Sequence, residues 1–335
     1  MSVIATASAG VPRGVRARLV DLQARVPLLQ LVGLCGVYAY LAADLGFTNW
    51  SSVKQILVIA SLAGLAAAGQ TLLILMGGFD LSISGFIVAS SLVVTVLKDK
   101  WHVSFVVALL IAVVAAAVLG ALAGQICHRF EIQPLIVTLA MGTIALGLIQ
   151  VQTGGSFSGT APDWLQHLTS PETKTFGFID IPPPVSIWIA VTVLMAIFLH
   201  RTPGGRRVMA TGANPRAAEY SLIDTRRIWT LAFAFSGICS ALVGMLVCGF
   251  AGSVDSGIGD PYLFQSVVAV IVGGTVFGGP GDYTRTVVGA LFLAFVNEAL
   301  VGKNQGADVQ NMVYGAAILL AVALYGRERR LRDRI

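Results

Sequence analysis

The side chains able to do covalent chemistry are few in this sequence and poorly spaced for it. Four histidines, His102, His128, His167 and His200, are dispersed at apparent helix ends and in loops. Four cysteines, Cys35, Cys127, Cys239 and Cys248, lie in or beside apolar segments without zinc or CxxC spacing, so they read as small packing residues. There is no HExxH, no nucleophile elbow and no GxxxxGK phosphate cradle; Gly302-Lys303-Asn304 does not fit one. Without a nucleophile–base pair or a metal set, the chain does not read as an enzyme. What remains is a handful of polar groups inside apolar sequence, where an ionisable residue is a functional candidate by default. Asp80 follows Gly77-Gly78 and precedes an apolar run, so it reads either as a cap for the next helix or as part of a gate or pathway. Asp282 invites the same pair of readings. Glu298, beside Asn297, reads as a snorkelling or interface carboxylate, with substrate contact as the alternative. Gln70, Thr71, Thr138, Thr143, Gln150, Asn297 and Asn311 form a scattered neutral set. Hydrogen bonds between helices account for most such groups, although a polar solute would need similar partners.

These groups sit in a chain of 335 residues that is 56% hydrophobic and 12% charged. A soluble domain carries about twice that charge fraction, so the apolar surplus must face lipid. The expected fold is an all-α, polytopic transmembrane bundle of about ten helices with both termini cytoplasmic. The apolar runs predict helices over about 28–45, 53–76, 82–97, 103–126, 134–150, 185–199, 228–250, 264–277, 286–301 and 310–325. The eighth is short for a full span, so the Gly-rich loop behind it is expected to dip into the protein, where broken backbone must be covered. Gly120-Ala121-Leu122-Ala123-Gly124 is a GxxxG, whose ordinary meaning is close helix packing. The basic stretch before the first helix reads as an uncleaved cytoplasmic arm over 1–26. The transmembrane domain is placed at 27–326, with a periplasmic loop over 152–184 and a cytoplasmic loop over 200–227, and a basic tail at 327–335.

Charge placement supports an even number of spans. With the N-terminus inside and ten helices, every arginine falls on the cytoplasmic side, while Lys54, Lys98, Lys100, Lys174 and Lys303 fall outside. Within the 200–227 loop, Asn214-Pro215 is an N-cap followed by proline at the first helical position, which predicts a short helix through Ile223. That helix is either a surface helix on anionic headgroups or a docking helix for a cytosolic partner. There is also an internal echo: Gly77-Gly78-Phe79-Asp80 and Gly278-Gly279-Pro280-Gly281-Asp282 each join two apolar runs, as in transporters built from repeats. The net charge of +5 is no nucleic-acid footprint, and no nucleic-acid partner is expected.

Taken together, the motifs resemble those of the permease subunits of ribose/xylose/galactose-type ATP-binding-cassette (ABC) sugar importers. Gly69-Gln70-Thr71 with Met76 to Ser82 is similar to the family's G-x-T…GG-I-D-L-S signature. Gln133-Pro134 to Leu139 resembles its IP-x-F-I-V-T-L stretch. Gly205-Arg206-Arg207 with Thr211 to Pro215 and Ala217-Ala218 resembles its ATPase-coupling loop, and Val272 to Thr275 with Gly278 to Gly281 its GGT…GGxG segment. The matches keep the family's order from about 50 to 325. The sequence departs from the pattern at Ser84-Gly85, Arg216, Glu219, Leu222, Asp282 and Glu298, which points to a divergent copy.

The resemblance implies a non-catalytic permease of the inner (plasma) membrane, moving a monosaccharide or polyol by alternating access. It implies a lipid bilayer around the chain, a cytosolic ABC ATPase that carries the ATP and Mg, a periplasmic sugar-binding protein, and a second permease copy or paralogue. This chain itself would need no cofactor. On that reading Gly205, Arg206, Asn214, Pro215, Ala217, Ala218, Glu219 and Ile223 couple to the ATPase. Gln70, Thr71, Gly77, Gly78, Asp80, Ser82, Gly273, Gly274, Thr275, Gly279, Gly281 and Asn297 lie near the gate or path. A branched-chain amino acid or nucleoside permease of the same superfamily, or an ion-coupled secondary transporter, is the alternative.

Overall fold

A computed structural model describes residues 28–44, 49–155 and 159–332. The arm at 1–26, residues 333–335 and the side chains of Lys98, Lys100 and the arginines from Arg327 onward lie outside the described residues. Long helices dominate: α1 (Leu28–Asp44), α2 (Trp50–Leu75), α3 (Ile83–Trp101), α4 (Phe105–Phe130) and α5 (Pro134–Thr153). After a short α6 (Asp163–Thr169) come α7 (Pro183–Arg201), α8 (Pro203–Ala213) and α9 (Pro215–Tyr220). The chain then runs through α10 (Thr225–Ala251), α11 (Asp260–Val272), α12 (Tyr283–Gly302) and α13 (Ala307–Arg332). Two-residue strands β1 (Gly159–Thr160) and β2 (Ser253–Val254) pair antiparallel, so the described residues are all-α apart from this clip and one isolated bridge between Thr175 and Ile179.

Six of these helices, α2, α4, α5, α7, α10 and α12, are long and apolar enough to cross a membrane, and shorter apolar stretches lie in α1, α3 and α11. Their surfaces show two solvents. On α4 the large residues Val107, Ile111, Val114, Val118 and Leu122 are exposed. The opposite face carries Ala108, Ala112, Ala116, Gly120 and Gly124, small residues at every fourth position. A helix that turns its largest apolar side chains outward has hydrocarbon outside, and its small face lets a neighbour's backbone come close. That neighbour is α10. A Cβ on Gly120 would lie 2.4 Å from the Phe233 carbonyl oxygen, and one on Gly237 would lie 2.3 Å from that of Ala116. The GxxxG therefore does what its sequence predicts.

The central helix is α2. Its apolar window is 89% buried, wrapped by α10, α11, α12 and α7. Contacts between helix termini sort the bundle into two ends. The α2 carbonyl of Ile74 accepts from Gly278 N, His128 at the end of α4 pairs with Thr225 at the start of α10, and His200 at the end of α7 meets Asp282 before α12. Arg129, Arg201, Arg206, Arg207, Arg216, Arg226, Arg227 and Arg285 belong to this end, while Lys54, Lys174 and Lys303 belong to the other. Trp50, Trp101 and Trp164 are exposed at the lysine end, where an aromatic belt marks a membrane boundary.

Candidate functional site

The arginine end holds two glycine-broken turns side by side. The first closes α2: Gly78 N donates to the Leu73 carbonyl at 2.8 Å and Gly77 N to Ile74 at 3.0 Å, with Gly77 at φ +83°. This is a Schellman stop, and the left-handed backbone is what requires glycine there. The second closes α11 identically: Thr275 N donates to Val270 at 3.1 Å and Gly274 N to Ile271 at 2.9 Å, with Gly274 at φ +96°. The internal echo is thus structural, but its register shifts: the counterpart of Gly77 is Gly274, not Gly278. Gly278 instead reaches across, its N–H donating to the Ile74 carbonyl at 2.8 Å, and Phe79 stacks on Phe277 with ring centroids 4.8 Å apart. The Gly-rich loop after α11 does fold into the protein, with Thr275 buried beneath it and Gly281 packed against the Thr275 side chain.

Asp80 sits fully buried behind these turns. Its Oδ1 accepts from Ser82 N at 2.8 Å and from Ser82 Oγ, and its Oδ2 accepts from Ser236 Oγ of α10 at 2.6 Å. The capping reading is corrected here. α3 has Ser82 at its N-cap position and no side-chain cap, so Asp80 folds its own loop and ties it to α10. Three donors compensate a buried carboxylate, which would otherwise cost several kcal/mol. The Asp80 N–H donates to Gln70 Oε1 at 3.1 Å, while Gln70 Nε2 is buried without a partner among the described residues. At the next residue, Thr71 Oγ1 and Thr286 Oγ1 lie 3.0 Å apart, joining α2 to α12, and Leu81 N donates to Thr138 of α5. Asp282 is likewise no side-chain cap for α12: its Oδ2 accepts from Thr284 and lies 3.2 Å from His200 Nε2.

The 200–227 loop builds two helices where the sequence predicts one. α8 begins at Thr202-Pro203, with Thr202 Oγ1 accepting from Gly205 N at 3.2 Å. That is the same cap-plus-proline signal as Asn214-Pro215, and it could have been read. α9 begins as expected, Asn214 Oδ1 accepting from Ala217 N at 3.1 Å, and ends at Tyr220 in a Schellman stop with Leu222 at φ +60°. Gly205 and Ala218 are buried: a Cβ on Gly205 would lie 2.2 Å from the Phe198 carbonyl oxygen. These two pack the unit together. Arg206, Arg216, Ala217 and Glu219 face outward, with Tyr220 at 89% and Leu222 at 95% exposure, and Ile223 is half-buried. Glu219 accepts from Thr225 Oγ1 at 2.8 Å, and Thr225 in turn meets His128 Nε2 at 2.9 Å.

Besides the His200–Asp282 pair, a close backbone approach joins the two regions. Gly212 of α8 lies so close to α2 that a Cβ there would be 1.9 Å from the Leu75 carbonyl oxygen, two residues before Gly77. The predicted gate residues therefore cluster at the arginine end beside α8, except Asn297. Asn297 lies at the lysine end, where its Oδ1 accepts from Tyr314 OH at 3.2 Å and Gln265 Nε2 donates to that hydroxyl at 3.1 Å. Glu298 is buried within the bundle at 8% exposure, which replaces its reading as an interface carboxylate.

A family model described as the permease component of the branched-chain amino acid transport system matches residues 52–322, which span both turns and both loop helices. The chain belongs to this permease family. It is 32% identical over 278 residues to the ribose import permease protein of Bacillus subtilis (strain 168), covering 82% of this chain and 84% of that one. It is 28% identical over 309 residues to the ribose import permease protein of Escherichia coli (strain K12), covering 90% and 93%. The D-allose transport system permease protein of the same strain is 28% identical over 280 residues, covering 83% and 84%. No solved structure matches. The permease is thus a non-catalytic, multi-pass subunit of an ABC transporter in the inner membrane.

Proposed function

We propose that this permease carries a monosaccharide or related polyol inward by alternating access, driven by a separate cytosolic ATPase. The observation that carries the coupling half of this reading is the Gly212–Leu75 contact. α9 offers an exposed apolar tip, Tyr220 and Leu222, ringed by Arg216, Arg226 and Arg227, which suits insertion into a protein partner. Any displacement of α9 passes to α8, and α8 presses on the last turn of α2, where helix gives way to the Gly77 turn and buried Asp80. A conformational change needs contacts that differ between states, and turns held by backbone hydrogen bonds and one carboxylate provide them.

The arginines assign the α8–α9 end to the cytoplasm by the positive-inside rule. α1, α3, α11 and α13 then complete ten spans, with both termini inside, the loop at 152–184 in the periplasm and the loop at 200–227 in the cytoplasm. Gln70, Thr71, Gly77, Gly78, Asp80, Ser82, Gly273, Gly274, Thr275, Gly279 and Gly281 form a closed gate at the cytoplasmic end. The partners are the ATPase, a periplasmic sugar-binding protein and a second permease copy or paralogue. The sugar class rests on the ribose and allose relatives; the branched-chain amino acid of the family description is the second reading.

Purification of the tagged chain in mild detergent tests the proposal. An ABC ATPase should co-purify, and Ala217→Arg on the exposed side of α9 should release it while the permease stays folded. Ribose or allose uptake should stop on ATP depletion and survive collapse of the membrane potential. A chain that transports alone would sink the ATP-driven reading.

A further inference from the structure

The most exposed aromatic pair away from the gate is on the hairpin Thr175–Ile181, between α6 and α7. Its stem is fixed. Thr175 N donates to the Ile181 carbonyl and Ile179 N to that of Thr175, both at 3.0 Å, and Thr175 Oγ1 lies 2.8 Å from Ser186 Oγ. Asp180 accepts the indole N–H of Trp50 at 2.8 Å and lies 3.4 Å from Lys54 Nζ. This rigid stem presents Phe176 at 84% and Phe178 at 77% exposure, their rings stacked 6.3 Å apart. Two ordered phenylalanines in the open mark a surface that something covers.

Position identifies what covers it. Phe176 and Gly177 share a groove of about 670 Å³ with Ile187 and Ala190, in the first two turns of α7, and with Leu168 of α6. The tip therefore folds back beside a membrane-spanning helix instead of standing away from the bundle. Ile187 also starts an exposed apolar stripe down α7 through Leu194 and Ile197, which faces hydrocarbon. The groove floor is continuous with that stripe. Trp164, half-exposed on the facing wall, packs edge-on to Phe105 at the start of α4, which fixes the groove at the membrane boundary. Its rim carries Thr173, His167 and the exposed Lys174. The nearby carboxylates Glu172 and Asp180 are paired with Lys54, and Lys174 acts on Asp180 only through space. An apolar floor opening to hydrocarbon under a cationic rim has the chemistry of a phospholipid, its acyl chain along α7 and its phosphate beside Lys174.

We propose that the Thr175–Ile181 hairpin is an interfacial anchor: its phenylalanines enter the leaflet at the α6 end, and an anionic phospholipid fills the groove behind them. This stands apart from the solute carried, so its failure would leave the importer reading untouched. A nitroxide on Phe178→Cys, in a Cys35→Ser background, is measured in the full chain in phosphatidylethanolamine–phosphatidylglycerol vesicles. Collisions with oxygen should exceed those with a nickel chelate, by a smaller margin than for a label on Val193→Cys at mid-depth of the α7 lipid face. A chelate preference matching a label on Arg226→Cys overturns the anchor and gives the tip to a water-borne partner. Phospholipid retained per chain after detergent extraction supplies the second measurement, which needs no change in the hairpin. Ala190→Trp, at an exposed position that plugs the groove, should lower the retained phosphatidylglycerol; an unchanged amount removes the lipid from the groove.

Discussion

The Asp80 carboxylate holds its own loop through Ser82 and ties it to α10 through Ser236. An aspartate after two glycines in apolar sequence announces importance, but its bond to Ser236, far along the chain, leaves no local signature. Asp80→Ala strands buried hydroxyl and amide donors, each worth about 1–3 kcal/mol when left unpaired. Thermal denaturation in detergent should show a larger loss for Asp80→Ala than for Ser236→Ala, with Asp80→Asn between them. Leu222, one of the departures from the family pattern, has a φ of +60°, which is left-handed. A β-branched residue tolerates that backbone worse still. Leu222→Val should therefore loosen the α9 stop, seen as faster amide exchange at Ile223. Leu222→Gly relieves strain but adds about 0.4–1 kcal/mol of unfolded-chain entropy, so it should be close to neutral. The pairing of buried Lys54 with Glu172 and Asp180 leaves no mark in the sequence, because both partners come from a loop whose path no periodicity reveals.

At the scale of elements, hydrophobic runs locate most long helices to within a few residues, since a membrane span is written in composition, but α13 runs on to Arg332, past the expected end at 325, and α11 starts and stops earlier than expected. The misses have a common cause. α8 lies in a loop of mixed polarity, and only its Thr202-Pro203 cap marked it. Gly212→Val would force α8 away from Leu75, so uptake should fall sharply while the ATPase still co-purifies with the chain. If the ATPase is lost as well, α8 acts in docking and not in transmission. The hairpin after α6 responds to acid. Ser51 and then Lys54 hold the Glu172 carboxyl below its ordinary 4.5, and the Trp50 indole and then Lys54 hold Asp180 below 3.8. Lowered folded values mean that this stabilisation is complete above the ordinary carboxylate range and is lost as pH falls through the folded values. Amide protection over 173–181, taken relative to the intrinsic exchange rate at each pH, should be unchanged from pH 7 to 5 and fall below about 4, where these carboxylates take up protons.

Across the whole molecule, the sorting of arginines and lysines to opposite ends is the feature sequence and structure share most fully, because charge placement depends on helix direction and not on packing. A cysteine at Arg216 should react with an impermeant maleimide in inside-out vesicles and not in right-side-out ones; the reverse pattern would invert the proposed topology. What the sequence could not convey is which helix occupies the middle. α2 and α4 have comparable length, yet α4 turns most of its surface outward while α2 is almost wholly enclosed. That enclosure bears on biogenesis. α2 carries Lys54, Gln70 and Thr71, and much of its covering surface comes from α10, α11 and α12, translated well over a hundred residues later. A nascent chain stalled before α10 would hold a span whose polar groups face lipid or the insertion machinery. Such intermediates are natural substrates for membrane chaperones and proteases, so truncated products of this permease should turn over faster than the complete chain.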